Sequence, residues 1–200
     1  MKRDYFNHLA EEWDSLPVPP DAAQRAESFL RAVVPAGCRR VLDVGCGTGI
    51  LAGCLVANWP SITFLVELDL AEQMLRRSRA KGQDGRTCYV CADALAPPFR
   101  GNSFDLAICY NVIPHFESAR SGLRALLGCL RPGGWLAVGH MMGSAAVNAL
   151  HASIGGPVAR DTLPSADLLS ADLRSLGART LKSEEDAGHY LVLVEKSLSG

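Results

Sequence analysis

The sequence predicts an α/β protein with a doubly wound, mostly parallel sheet of seven strands, an antiparallel last strand, helices on both faces and an N-terminal helical cap. Two observations lead to this prediction. From residue 40 onward, short apolar strands alternate with helical patterns, which is typical of βαβ units. The last two strands are separated only by an acidic turn at residues 184–188. This turn is too short for a crossover helix, so the two strands must be antiparallel.

The cap comes first in the chain. Residues 5–14 place Phe6, Leu9 and Trp13 at helical spacing, prolines follow, and residues 22–34 form a second amphipathic helix. Beyond the cap, strands are predicted at residues 40–44, 62–68, 87–91, 104–110, 134–140, 179–183 and 189–195. The helices among them are predicted at residues 49–57, 71–81, 118–130, 144–153 and 165–176.

Length and composition limit the possible functions. The 200 residues are 48% hydrophobic and can bury a core without disulfides or a structural metal. Twenty Lys and Arg against 21 Asp and Glu give a net charge of −1. The chain therefore has no net positive charge that would attract a nucleic acid or an anionic membrane surface. We expect one domain, divided into a cap (1–36), a cofactor-binding core (37–140), a substrate-side insertion (141–164) and a final helix and strand pair (165–200).

Residues 132–159 contain no Asp, Glu, Lys or Arg. Glycines and the polar residues His140, Asn148 and His151 interrupt this stretch, so we expect a strand and a pocket wall, and no membrane span. The first residues lack the apolar core of a secretion signal.

The seven cysteines are odd in number and lie mostly in apolar runs, which indicates reduced thiols in the cytoplasm. Cys88 and Cys91 form a C-x-x-C pattern on a strand that we expect to be buried. A structural role is favoured there over a metal or redox role, since no second pair is present.

The strongest chemical signal is V-L-D-V-G-C-G-T-G at residues 41–49, where a strand turns into a helix. Gly45, Gly47 and Gly49 allow a ligand to approach the backbone, and the following helix offers unpaired N–H groups. The spacing is not the G-x-G-x-x-G of dinucleotide sites. Asp43 would repel a pyrophosphate but suits an ammonium group, which favours a cationic nucleoside bearing an amino acid over NAD or ATP.

This segment resembles motif I of the class I S-adenosylmethionine-dependent methyltransferases. Four further landmarks follow in that family's order: V-E-L-D-L-A-E-Q-M-L at 66–75, C-A-D-A-L at 91–95, N-S-F-D-L-A at 102–107 and L-R-P-G-G-W-L at 130–136. The segment from Tyr5 to Asp14 is similar to the cap of small-molecule methyltransferases, including those of quinone pathways. The resemblance implies S-adenosylmethionine as cofactor and S-adenosylhomocysteine as its product.

The resemblance also implies a role for individual residues. Asp69 would accept hydrogen bonds from both ribose hydroxyls, and Asp93 would contact the adenine amine. Glu67 lies on the same strand face as Asp69 and is the alternative for the ribose. Asp43 could instead cap the loop, and Asp93 could serve as a turn or N-cap residue. The cofactor-binding residues expected on this basis are Asp43, Gly45, Cys46, Gly47, Gly49, Glu67, Asp69, Leu70, Asp93, Ala94 and Asn111.

Three histidines are expected at the carboxyl edge of the sheet, where open parallel sheets bind ligands. His115 follows the fourth strand, His140 ends the fifth, and His151 shares a helix face with Asn148. At least one is expected to act as a base or to orient the substrate, although each alone could be structural. Their spacing matches no metal-ligand pattern, so no metal ligand is assigned. Trp13 and Asn148 are expected to contact the substrate.

We therefore expect an enzyme that moves a methyl group to a small-molecule acceptor by in-line displacement. No nucleic acid partner is expected, and a homodimer is a further possibility. Val-Ile-Pro follows Asn111 where base and amine methyltransferases carry Pro-Pro-Tyr, so quinone-like, thiol-like and metalloid acceptors all stay open. The alternatives are a non-catalytic regulator that binds the cofactor, a metal-dependent methyltransferase that uses the three histidines, and an NAD-dependent oxidoreductase.

Overall fold

Seven strands form one sheet in the computed structural model, which describes residues 2–82 and 85–198. The strands are β1 (Arg40–Val44), β2 (Phe64–Asp69), β3 (Thr87–Cys91), β4 (Phe104–Tyr110), β5 (Leu130–His140), β6 (Ala178–Asp186) and β7 (His189–Lys196). Their order across the sheet is β3-β2-β1-β4-β5-β7-β6. Neighbours from β3 to β5 pair in parallel, whereas β7 is antiparallel to both β5 and β6. The predicted sheet is therefore confirmed.

Helices cover both faces of this sheet, as the alternating patterns predict. They are α1 (Lys2–Leu9), α2 (Ala22–Val33), α3 (Ala52–Asn58), α4 (Glu72–Ala80), α5 (Ala119–Cys129), α6 (Ser144–Ile154) and α7 (Ala166–Ser175). Side chains alternate along a strand, so Val41 and Ile108 meet α2 and α3 on one face, while Leu42 and Cys109 belong to the core under α5 and α7 on the other. Both faces of the central strands are consequently buried.

The N-terminal cap differs from its prediction in the length of its first helix. α1 ends earlier than expected, and Trp13–Ser15 form a separate 3₁₀ turn. Contacts distant in sequence explain the break, because the carboxylate of Asp14 accepts hydrogen bonds from the Thr48 hydroxyl (2.5 Å) and the Lys81 ammonium (3.1 Å). The turn thereby holds the Trp13 ring over the carboxyl edge of the sheet.

Two other predictions are wrong in detail. The helix expected from residue 49 begins only at Ala52, since Gly49 has a left-handed φ of +82° that cannot continue a helix. β3, expected to be a buried strand, lies at the edge of the sheet, and Cys88 and Cys91 are exposed there.

The charge-free stretch at residues 132–159 forms most of β5, all of α6 and a short 3₁₀ turn at Gly156–Val158. A strand followed by a helix is what the sequence predicts, but α6 does not form the expected pocket wall, since none of its residues lines the cavity at the carboxyl ends of β1, β2 and β4. None of the helices within residues 2–82 and 85–198 is long and apolar enough to cross a membrane.

Asp105 ties together the entrances of three central strands. Its Oδ2 accepts hydrogen bonds from the backbone N–H groups of Arg39 (2.7 Å) and Arg40 (2.9 Å), just before and at the start of β1. Its Oδ1 lies 2.9 Å from Nε of Arg131 at the start of β5. The side chain is buried, so these three donors compensate the desolvation of its charge.

We expect Asp105→Ala to lower the free energy of unfolding by about 2–3 kcal/mol, because two backbone donors lose a charged acceptor. Urea denaturation monitored by circular dichroism measures this change. The matched control is Asp172→Ala, which removes an exposed carboxylate paired with Arg120 and should cost less than about 1 kcal/mol. Equal losses in the two variants would contradict the role of Asp105.

Candidate functional site

A cavity of about 310 Å³ opens at the carboxyl ends of β1, β2 and β4; we call it the main cavity. Its volume is in the range of small-molecule sites. The cap covers one side through Phe6 and Trp13, and the glycine loop after β1 forms part of the opposite wall through Gly45 and Gly47. Such a position beyond the strand ends is where open α/β sheets bind their ligands.

The glycine loop adopts a backbone that other residues rarely tolerate. Gly45, Gly47 and Gly49 have φ values of +64°, +56° and +82°. A Cβ at Gly45 would overlap the side chain of Val112, and a Cβ at Gly49 would overlap the Ser78 hydroxyl. The glycines at these positions therefore follow from close packing as well as from backbone conformation.

Asp69 holds this loop and also faces the main cavity. Its Oδ2 accepts from the backbone N–H of Gly47 (2.9 Å) and its Oδ1 from that of Ala71 (2.8 Å). A carboxylate offers about four acceptor positions, so capacity remains for two donors from a ligand diol. Burial raises the pKa of Asp69 above its usual range, and the bonds from Ala71 and Gly47 partly offset this rise.

Glu67, the alternative to Asp69, is not brought to the cavity wall. It is completely buried beneath the loop and accepts a hydrogen bond from the Ser78 hydroxyl. Glu67 and Asp43 are register partners on β2 and β1. We call Asp43, Glu67 and Asp69 the acidic cluster.

Asp43, like Glu67 with its Oε1, leaves a carboxylate oxygen without a hydrogen-bond partner in the described part of the chain. In Asp43 this oxygen is Oδ2, and the side chain is buried. Burial raises its pKa well above the usual value, and the neighbouring Glu67 and Asp69 raise it further. Asp43 does not line the main cavity, so it can act on a ligand only through its charge, and a positively charged ligand would favour its ionised form. An orphaned carboxylate oxygen beneath the loop fits a ligand that carries positive charge.

The far end of the main cavity is formed by residues after β2 and β3. Leu70, Asp93 and Ala94 line it. Oδ1 of Asp93 accepts from the backbone N–H of Leu95 at 2.8 Å, which is the turn role considered as the alternative. Asp93 thus shapes its turn while it also lines the main cavity.

Two other predicted cofactor residues differ in placement. Asn111 lines the main cavity just after β4, with a left-handed φ of +57°, and its Oδ1 accepts from the backbone N–H of Met141. Cys46 is buried within the loop, and burial together with the acidic cluster raises the pKa of its thiol well above the usual value. Cys46 is therefore a packing residue and holds no contact with the cavity.

Of the three predicted histidines, only His115 lines the main cavity. Its Nδ1 lies 2.7 Å from Oδ2 of Asp161, and its ring centroid lies 5.0 Å from that of Phe6. His151 is buried, with its ring 5.0 Å from that of His115 and its Nδ1 3.0 Å from the backbone oxygen of Asp161.

His140 lines a second cavity of about 330 Å³, on the other side of the sheet edge, with Arg25 and Tyr110. Its Nδ1 accepts from the backbone N–H of Met142. Burial lowers the pKa of His140 to about 4, and the nearby His151 and His115 contribute to this shift. The three histidines are therefore neighbours, but they do not share one ligand site.

Asn148 has a different role from the predicted substrate contact. Its amide donates to the backbone oxygen of Leu163 (3.0 Å) and accepts from the Leu163 N–H (2.7 Å). Both ends of the side chain are thus used to hold the loop after α6. Trp13, the other predicted substrate residue, does line the main cavity.

Asp161 is one of the site residues that the sequence does not predict, with Lys2 and Phe6 in the cap. Asp161 is 46 residues from His115 in a loop without a motif, so no local signal marks it. Among residues 2–82 and 85–198, no group of three or more His, Cys, Asp or Glu is arranged to hold a metal ion.

Comparison with known proteins finds similarity in the central part of the chain. The methyltransferase domain family matches residues 42–138. An uncharacterised methyltransferase of Mycobacterium tuberculosis is 33% identical over 120 residues, which are 60% of this chain and 59% of the relative. The ubiquinone biosynthesis O-methyltransferase of Bordetella avium is 34% identical over 142 residues, 66% of this chain and 57% of the relative. The chain thus spans less than two thirds of these relatives.

The fold comparison agrees with the family match. One chain of the complex between the Trm112 methyltransferase activator of Haloferax volcanii and a methyltransferase superposes with a TM-score of 0.81 at 15% identity, covering 96% of this chain and 97% of that one. At this identity the likeness concerns the fold alone. Residues 42–138 therefore match the methyltransferase domain family, and the fold agrees with that of the superposed chain.

Proposed function

We propose that this protein is an S-adenosylmethionine-dependent methyltransferase that acts on a small-molecule acceptor. The observation that supports this function best is the glycine loop over the acidic cluster, with Asp69 turned toward the main cavity. In this proposal Asp69 accepts hydrogen bonds from the ribose hydroxyls. Leu70, Asp93 and Ala94 contact the adenine. The backbone at Gly45 and Gly47 contacts the amino-acid part.

The acidic cluster supports a cationic ligand. When bound, S-adenosylmethionine supplies an activated methyl group on a sulfonium. The protein then has to bind and orient an acceptor and to exclude water. The rings of Phe6 and Trp13, which cover the main cavity, suit the exclusion of water.

Several observations support a small acceptor. The net charge of −1 offers no general attraction to a polyanion, and the lining on the cap side is aromatic and compact. The Bordetella avium relative is named for ubiquinone biosynthesis, which makes a quinone precursor a reasonable first acceptor class. The cytoplasm, a homodimer and the division of the chain into four segments stay predictions from the sequence.

The alternatives receive less support from the geometry. A metal-dependent reaction through the three histidines has little support, because His115 and His140 line different cavities and His151 is buried. An NAD-dependent reaction would require a pyrophosphate above the buried carboxylates of the acidic cluster, which the charge disfavours. A regulator without catalytic activity would bind the cofactor and transfer no methyl group.

We expect Asp69→Ala to weaken the binding of S-adenosylhomocysteine at least about tenfold, because two charge-assisted hydrogen bonds to the ribose are lost. Isothermal titration calorimetry measures the dissociation constant. The matched control is Glu72→Ala, which removes an exposed carboxylate three residues later that pairs with Arg76. Unchanged affinity in Asp69→Ala would refute the ribose role, and no binding to the unmodified protein would refute the proposed function.

We also expect NAD⁺ to leave the binding of S-adenosylhomocysteine unaffected in a competition titration. The acidic cluster and the glycine spacing both disfavour a pyrophosphate. The same titration with S-adenosylmethionine provides the positive control, since it should displace the product. Displacement by NAD⁺ at comparable concentrations would favour the oxidoreductase alternative instead.

A further inference from the structure

A chain of buried and half-buried polar side chains runs from the cap to the wall of the main cavity. Asp161, only 7% exposed, is at its centre. One carboxylate oxygen lies 2.6 Å from Nζ of Lys2 in α1, and the other lies 2.7 Å from Nδ1 of His115. Lys2 also donates to the backbone oxygen of His115 at 3.0 Å. Three segments distant in sequence therefore meet at this carboxylate.

We propose that Asp161 positions His115 as the general base of the methyl transfer and that the acceptor is an aromatic compound with a hydroxyl group, such as a phenol or catechol. The inference rests on the proposed function and names its substrate class.

The contact with Asp161 determines the tautomer of His115. A carboxylate oxygen only accepts hydrogen bonds, so the Nδ1 facing Asp161 must carry the ring proton. The neutral imidazole then has its lone pair on Nε2. No hydrogen-bond partner of Nε2 is found among the described residues, and the ring lines the main cavity. The basic nitrogen of His115 is thus left for a ligand.

Asp161 itself is held by an ion pair and a hydrogen bond to its backbone. Lys2 balances its charge, and Nδ1 of His151 donates to its backbone oxygen at 3.0 Å. His151 is buried and cannot contact the acceptor, so it belongs to the support of Asp161. A base whose orienting group is fixed on two sides satisfies the requirement for preorganisation.

The surroundings of His115 determine the charge on its ring. Burial lowers the pKa of His115, Asp161 opposes this effect, and His151 and Lys2 add to it. His140 is a further titratable neighbour, and Arg3 and Glu117 line the same cavity. The ring is therefore neutral and able to accept a proton at neutral pH.

The acceptor class follows from the surroundings of His115. The ring of Phe6 stands edge-on to His115 and also to Trp13, with centroids 5.0 and 6.0 Å apart, and Phe116 lines the same wall. Aromatic walls of this kind suit a planar ring. A base is needed only when the acceptor must lose a proton, as a phenolic hydroxyl does at neutral pH.

The proposed reaction moves a proton from the acceptor to His115 and a methyl group to the acceptor. The acceptor hydroxyl gives its proton to Nε2 of His115, and its oxygen forms a bond to the methyl carbon. The carbon–sulfur bond breaks, and its electron pair stays on the sulfur. The products are an aryl methyl ether, S-adenosylhomocysteine and an imidazolium that releases its proton to solvent.

The first experiment reads the tautomer by ¹⁵N NMR of the histidine rings in the protein saturated with S-adenosylhomocysteine. We expect His115 as the Nδ1–H form in the unmodified protein and a loss of that preference in Asp161→Ala. Lys2→Met, which leaves the His115–Asp161 bond in place, should keep the Nδ1–H form. His140 is an internal reference, because burial lowers its pKa to about 4 and its ring stays neutral at the neutral pH of the measurement.

The second experiment compares two acceptors, catechol and thiophenol, in unmodified protein, Asp161→Asn and the exposed control Asp167→Asn. Thiophenol is already largely ionised at the assay pH and needs no base. We expect Asp161→Asn to lower kcat for catechol at least about tenfold, with little change for thiophenol. Asp167→Asn should match the unmodified protein with both acceptors.

The outcomes separate the claims. An equal loss with both acceptors, or the Nε2–H form in the unmodified protein, would overturn the role of Asp161. Transfer to thiophenol without transfer to any phenol or catechol would overturn the acceptor class. A chain that binds neither S-adenosylmethionine nor S-adenosylhomocysteine would refute the proposed function itself.

Discussion

The carboxylate of Asp69 is the group on which the geometry of the site depends. By accepting the N–H groups of Gly47 and Ala71, it joins the loop after β1 to the start of α4. The loop can lie so close only because Gly45 and Gly49 lack side chains that would overlap Val112 and Ser78. One charged group thus defines both the wall of the main cavity and the charge that a ligand meets there.

The three histidines show how neighbours at one sheet edge acquire separate roles. His115 faces the main cavity, His151 supports the loop that carries Asp161, and His140 faces the second cavity. The elements that carry them decide these roles, because His115 lies in the turn after β4, His140 ends β5 and His151 lies on α6. Proximity alone would have grouped them into one site.

The sequence predicts features that depend on local pattern and fails where distant contacts decide. Strand and helix alternation predicts the sheet, and the glycine spacing predicts the loop. The end of α1 depends on the contacts of Asp14 with Thr48 and Lys81, which no local pattern contains. Asn148 lies on the same helix as His151, as expected, yet its side-chain amide is hydrogen-bonded to the backbone of Leu163 in the following loop. Asp161 has no motif, so only the fold brings it to His115.

The ion pair between Lys2 and Asp161 links the position of the cap to proton uptake. Burial lowers the pKa of His115, and the ammonium of Lys2 lowers it further. By thermodynamic linkage, protonation of the ring and the contact of Lys2 with Asp161 oppose each other, so this contact is more favourable when His115 is neutral.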